Sequence, residues 1–191
     1  TTGLNSVFII DEQKRREITR TDPASTRIIR PIVKGQHIKR WRLKWADSHL
    51  IYTETGIDIE KYPGVLGYLS EFRDDLEDVY EAKHGKKAWY ELRGCKYYSE
   101  FEKEKIIYTR LSSLNSFAIS TDGEFCVDSA GIIVTDDNKY YCAILNSTLI
   151  YFYFKLVSVI WGKDGIKWFG NGFDNIPIHE IDGGNSKEII I

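Results

Sequence analysis

Hydrophobic and polar positions alternate or cluster along this chain in two ways. Short runs rich in β-branched and aromatic residues predict strands at Val7 to Ile10, His49 to Thr53, Lys105 to Tyr108, Phe117 to Ser120 and Gly131 to Val134. Between Phe117–Ser120 and Phe125–Val127 stands Thr121-Asp122-Gly123-Glu124, whose Asp-Gly pair tolerates the positive φ of a tight turn and predicts a hairpin. Two longer stretches follow a helical period instead. Leu66, Leu69, Phe72, Leu76, Val79 and Tyr80 recur among acidic residues and predict a helix over roughly 65–82, ending at Gly85. Tyr141, Ile144, Leu145, Thr148, Leu149, Phe152 and Leu156 predict a second over roughly 139–157, with an apolar face broad enough to be buried on several sides.

Helices interspersed among hairpin-like strands, without regular strand-helix alternation, predict an α+β fold: a mixed sheet and hairpins with two longer helices. The domain is expected over residues 1–181. The segment 182–191, beginning Asp182-Gly183-Gly184-Asn185-Ser186, reads as a tail or linker.

With 191 residues, 42% hydrophobic and 28% charged, the chain suits a globular protein, and no apolar run approaches the ~20 residues that cross a bilayer. No leader pattern is visible, so a cytoplasmic location is expected. Thr1 is the first residue and methionine is absent, which suggests a piece of a longer reading frame. Cys95, Cys126 and Cys142 and the four histidines are too scattered for a zinc site, and no metal is expected.

Charge changes the picture locally. The net charge is only -2, yet Arg27, Arg30, Lys34, Lys39, Arg40, Arg42 and Lys44 follow one another without an intervening acid. Such a stripe attracts phosphates and releases condensed counterions; the alternative is a solvated surface. Within it, Gly35 lets backbone approach a phosphate, Gln36 can pair bidentately with adenine, and Arg40 can grip guanine or a phosphate; His37 lies between them. Trp41, Leu43 and Trp45 alternate as one face of a strand would. Leu43 and Trp45 read as core, and Trp41 is open to either role. A second glycine-rich loop, residues 161–173, offers Lys167 and Asn171 to DNA, or closes over the core.

Catalytic motifs are mostly excluded, although spacing leaves a Ser-His-Asp arrangement open because its members converge in space rather than in sequence. Asn175-Ile176-Pro177-Ile178 lacks the second proline and the aromatic of an amino-methyltransferase loop, and Phe169-Gly170-Asn171-Gly172 has the wrong glycine spacing for a cofactor loop. No nucleophile elbow occurs. Asp137-Asn138-Lys139 imitates half of a metal-dependent nuclease site without a second carboxylate.

Gly3-Leu4-Asn5, Phe8-Ile9-Ile10-Asp11 and the run from Ile29-Arg30-Pro31 to Arg40-Trp41 resemble the opening of the TaqI-like C-terminal specificity domain. Trp89-Tyr90-Glu91-Leu92, Lys105-Ile106-Ile107-Tyr108, Leu145-Asn146-Ser147 and Ile176-Pro177-Ile178 follow in the same order as that family's later blocks. The resemblance implies sequence-specific recognition of double-stranded DNA, beside a methyltransferase domain of the same parent chain, in type IIG restriction-modification or related phage-defence proteins. It implies S-adenosylmethionine as cofactor of the parent and none in this fragment, with no catalysis here. Arg30, Lys34, Gly35, Gln36, His37, Lys39, Arg40, Trp41, Arg42, Lys167 and Asn171 are the expected DNA-binding residues. The rival readings are a module that docks a methyltransferase or nuclease partner and a small metal-dependent nuclease.

Overall fold

In the computed structural model, residues 5–44, 47–92, 98–126, 129–158, 160–161, 165–179 and 188–190 are described. The chain divides into two compact units. The first comprises Thr1–Ile32 and Asp47–Lys96; the second comprises Val33–Ala46 and Tyr97–Ile191. Together they mix helices with antiparallel sheet, an α+β architecture.

In the first unit, strand Ser48–Ile51 lies between Ile9–Asp11 and the strand beginning at Ile29, antiparallel to both. The run from Val7, expected as a strand, opens as a short helix, Asn5–Phe8, before Ile9 turns extended. Asp11 ends that strand and starts helix Glu12–Thr21, its carboxylate accepting the Lys14 N–H at 2.8 Å. The long helix expected over 65–82 is three pieces: Pro63–Ser70, Arg73–Glu77 and Tyr80–Lys83. Val65, Leu69 and Leu76 keep the apolar period and are buried, so burial alone did not require continuity. The breaks fall at Glu71-Phe72 and Asp78-Val79, where β-branched Val79 turns extended (φ -60°, ψ 134°), while Asp74 and Asp75 sit in the first turn of the middle piece, where the helix dipole favours acids.

The second unit is built on a four-stranded antiparallel sheet in the order Glu188–Ile190, Ala130–Val134, Lys105–Thr109, Phe117–Ser120. Glu188–Ile190 therefore pairs with the sheet, although 182–191 reads as a tail; residues 182–187 lie outside the described ones. The expected hairpin around Asp122-Gly123 is different in kind. Gly123 does take φ +69°, but Phe117–Ser120 and Phe125–Cys126 enter different sheets. A three-stranded sheet joins Ile160–Trp161, Gly165–Lys167 and Leu111–Ser112.

The aromatic core of this unit is Tyr108, Phe117, Phe154, Trp168 and Phe173, each at most 1% exposed. Phe154 stacks on Trp168 at 4.5 Å between ring centroids, and Phe117 meets Trp168 edge-on at 5.5 Å. Gly131 sits against the Tyr108 ring so closely that a Cβ there would lie 2.4 Å from it.

The expected helix over 139–157 is two helices, Asn138–Leu145 and Thr148–Val157. The break has a chemical cause. Ser147 leaves helical geometry and caps the second helix, accepting the Ile150 N–H at 3.2 Å, while Asn146 turns its side chain to the sheet. The break also rotates the apolar stripe. Ile150 and Phe154 are buried, but Leu149, Phe152 and Leu156, expected in the core, are exposed.

Candidate nucleic-acid interface

The basic stripe folds into a 3-10 turn, Gly35–His37, followed by a hairpin of Ile38–Lys39 against Arg42–Leu43. Its anchor is apolar. Val33 and Ile38 are buried with Ile107, Ala118, Ala130 and Ile132 in one cluster, which fixes the hairpin on the four-stranded sheet. Burying Ile38 at one position leaves its neighbour Lys39 pointing outward, as strand alternation demands.

Gly35 is needed for packing. Its N–H donates to Ser129 Oγ at 3.0 Å, its carbonyl accepts from the Thr109 hydroxyl at 2.9 Å, and an added Cβ would lie 2.9 Å from the Ser129 carbonyl oxygen. Its amide N–H is thus already engaged within the fold. Ser129 also accepts the Arg110 N–H through its carbonyl, at 3.0 Å, and the Arg110 guanidinium lies 4.4 Å above the Phe169 ring.

His37 is half-buried. Its Nδ1 accepts the Lys34 N–H at 3.4 Å, its carbonyl accepts the Lys44 N–H at 2.7 Å, and the exposed Gln36 amide lies 3.1 Å from its Nε2. Burial first, then Lys34, Lys39 and Lys44, depress its pKa below the ordinary 6.5. Beside that contact Gln36 keeps its amide oxygen and a second amide hydrogen for an adenine edge.

The register Ile38↔Leu43 and Lys39↔Arg42 leaves a two-residue tip, Arg40–Trp41. Trp41 has φ +73°, a left-handed conformation that side chains larger than glycine seldom adopt. The surroundings hold it there. The Trp41 N–H donates to the Phe117 carbonyl at 2.9 Å, and Arg40 Nη2 donates to the Asn146 carbonyl at 2.5 Å. Asn146 is fully buried and pairs with both backbone groups of Phe117, accepting its N–H at 3.2 Å and donating to its carbonyl at 2.8 Å. Asn115 steadies the same bend by donating to the carbonyls of Leu145 and Ser147, at 2.9 and 3.0 Å. An ordered tip results, with the Trp41 indole 54% exposed and the Arg40 guanidinium 5.5 Å from its ring.

Lys39, Arg42 and Lys44 are exposed, and among the described residues no carboxylate forms an ion pair with them. Lys34, Gln36, His37, Lys39, Arg40, Trp41 and Arg42 are thus brought together. Arg30, Lys167 and Asn171 lie on other elements. Arg30 is half-buried on a strand of the first unit, opposite Leu50. Lys167 is half-buried in the three-stranded sheet, opposite Leu111, and its carbonyl accepts the Ser158 hydroxyl at 3.1 Å. Asn171 begins the short helix Asn171–Asp174 after Gly170 at φ +79°.

Asn146, Asn115 and Ser129 were not among the expected site residues. Their only signal was the Leu145-Asn146-Ser147 block, whose asparagine falls within what reads as a continuous helix. Asp137-Asn138-Lys139 begins helix Asn138–Leu145, with the buried Asn138 amide donating to Glu104. Among the described residues no group of three or more His, Cys, Asp or Glu side chains is placed to hold a metal. None of their helices is long and apolar enough to cross a membrane.

The profile of the TaqI-like C-terminal specificity domain matches residues 30–178. No curated protein sequence matches the chain. Among solved structures, the fold is similar to part of the type IIL restriction-modification enzyme MmeI, solved in complex with DNA. The TM-score is 0.61 at 10% sequence identity, over 86% of this chain but 22% of that one, so the present chain spans about a fifth of that enzyme's length. At such low identity the likeness concerns the fold alone. Because the profile match runs through well over half of the residues and includes the hairpin, its clamp and the aromatic core, the chain belongs to the family of TaqI-like C-terminal specificity domains.

Proposed function

We propose that this chain recognises double-stranded DNA for a larger restriction-modification enzyme and that the hairpin Ile38–Leu43 is its main contact. The observation that carries this reading is the combination at one ordered tip of exposed, unpaired cations, Lys39 and Arg42, with an exposed aromatic ring. A two-stranded β ribbon fits the major groove, where side chains at its tip meet base edges while cations along its strands meet phosphates. Arg40 has one amino group committed to Asn146, so its first duty is to position the tip.

The remaining steps fall to the rest of the parent protein. Methyl transfer from S-adenosylmethionine to adenine belongs to a methyltransferase domain of that parent, and this fragment contributes the choice of site. The decisive experiment is titration of the chain with duplex DNA at several salt concentrations. Binding that weakens steeply with salt supports the reading, and a salt-independent or absent interaction overturns it.

One observation favours protein docking as a second activity. Leu149, Phe152 and Leu156 form an exposed apolar stripe along helix Thr148–Val157. A Phe152→Glu substitution should leave DNA binding by this chain unchanged while weakening its association with the methyltransferase part of the parent.

A further inference from the structure

Trp41 is poorly explained as a structural residue. It occupies a left-handed turn position that glycine or asparagine would take with less strain, and more than half of its side chain lies in solvent. Its backbone, in contrast, is well held. The N–H is fixed on the Phe117 carbonyl, and the preceding arginine is tied to Asn146. A strained, well-ordered backbone carrying an exposed ring is the arrangement expected where strain is retained for function. The chemistry around the ring narrows its partner. Arg40 lies 5.5 Å from it, and Lys39 and Arg42 face each other across the strand pair directly behind the tip. A hydrophobic protein pocket would have to desolvate these cations, whereas a nucleic acid offers a flat π-face for the indole and phosphates for the charges at neighbouring positions.

We propose that Trp41 is an aromatic wedge, stacking against a base at a step of duplex DNA that the hairpin partly unstacks. This rests on the DNA-recognition reading and assigns one residue a role within it. Lys39 and Arg42 hold the flanking phosphates. Arg40 and Asn146 are positioning residues that keep the wedge from folding back. A rigid support is required because a mobile indole would lose rotational freedom on insertion and so forfeit part of the stacking energy.

The test uses the 191-residue chain, a fully paired mixed-sequence duplex, and the same duplex with a single mismatch. A mismatched step is already weakened, so a wedge gains affinity there, and stacking should quench indole emission. The native chain should bind the mismatched duplex more tightly than the paired one. Trp41→Gly should lose about 5- to 100-fold in affinity, the range expected for one base–aromatic stack, together with the mismatch preference and the quenching. Its thermal midpoint should hold or rise, because glycine relieves the left-handed backbone; a purely structural tryptophan would lower it. Trp41→Phe should keep most of the affinity. Unchanged affinity and mismatch preference in Trp41→Gly overturn the wedge while leaving DNA recognition in place. If the native chain binds neither duplex, both readings fall.

Discussion

Two segments of the second unit have nearly the same ingredients and opposite fates. Residues 34–45 and 161–173 each combine tryptophans, lysines and glycine, and both read as candidate DNA-facing loops. In the first, Trp41 is 54% exposed; in the second, Ile166, Trp168 and Phe173 are no more than 4% exposed and complete the aromatic core. Composition therefore did not decide exposure. Backbone hydrogen bonding did. The Trp168 N–H donates to the Arg110 carbonyl, next to a strand whose pairing with Leu111–Ser112 draws the segment over the core. The Trp41 N–H donates to the Phe117 carbonyl from the turn of a hairpin whose inward positions are already filled by Ile38 and Leu43.

The largest effect that can break this comparison is on stability. Trp168→Ala should lose about 3–5 kcal/mol in denaturant unfolding, as large buried aromatics do when truncated. Trp41→Ala should change it by no more than about 0.5 kcal/mol, as an exposed site away from the core does. Equal losses at the two positions would mean that Trp41 is packed after all.

Next in size is the clamp. Asn146→Leu leaves the Phe117 N–H without its partner in a buried place and should destabilise the chain by about 1–3 kcal/mol. It should also weaken DNA binding, although Asn146 is fully buried, because Arg40 and Trp41 are held through it and through Phe117. Gly35→Ala should have a comparable effect on stability, about 1–3 kcal/mol, because the new methyl meets the Ser129 backbone, which cannot swing aside. Thermal unfolding of both variants beside Lys39→Ala, which should unfold like the native chain, separates support of the tip from contact by the tip.

How much of this was legible in the sequence follows the same division. The strands at Lys105–Thr109, Phe117–Ser120 and Ala130–Val134 were readable because each is centred on a short apolar run that is largely buried. The helix expected over 139–157 failed at Asn146-Ser147, where side-chain hydrogen bonds to a distant strand and a cap outweighed an unbroken apolar period. The cations at Lys39 and Arg42 were readable from charge. What held them was not, since the clamp joins residues 40, 41, 115, 117 and 146, and its backbone bonds leave no mark on residue type. Gly35 and Arg40 are ambiguous in the sequence for that reason: a glycine suits both a phosphate and a tight packing contact, and an arginine both a base and a carbonyl.

A smaller effect sharpens the phosphate side of the comparison. Lys39→Ala should flatten the slope of log affinity against log salt by about one unit with little change in sequence preference. Lys167→Ala should leave it unaltered if the 161–173 segment serves the core alone. A flattened slope for Lys167 would return that segment to the interface.

The smallest effect expected is a pH dependence at His37. Its pKa in the folded chain lies below 6.5 because burial and then Lys34, Lys39 and Lys44 disfavour the charged ring. Unfolded chains therefore take up the proton first as pH falls below 6.5. Its contribution to stability is complete above that value, declines as pH drops toward the folded pKa, and is constant below it. Bound phosphate reverses the local field and raises the same pKa, so DNA binding should take up a proton and tighten as pH falls through this window. In the same window the salt slope should steepen by up to about one unit, as one more cation faces the duplex. His37→Gln should abolish both changes and leave affinity at neutral pH nearly as it was, because the native ring is uncharged there. Titrations at matched ionic strength across the window decide it. If affinity is flat with pH in the native chain, His37 only braces the Lys34 turn, and the hairpin meets phosphate through its lysines and arginines.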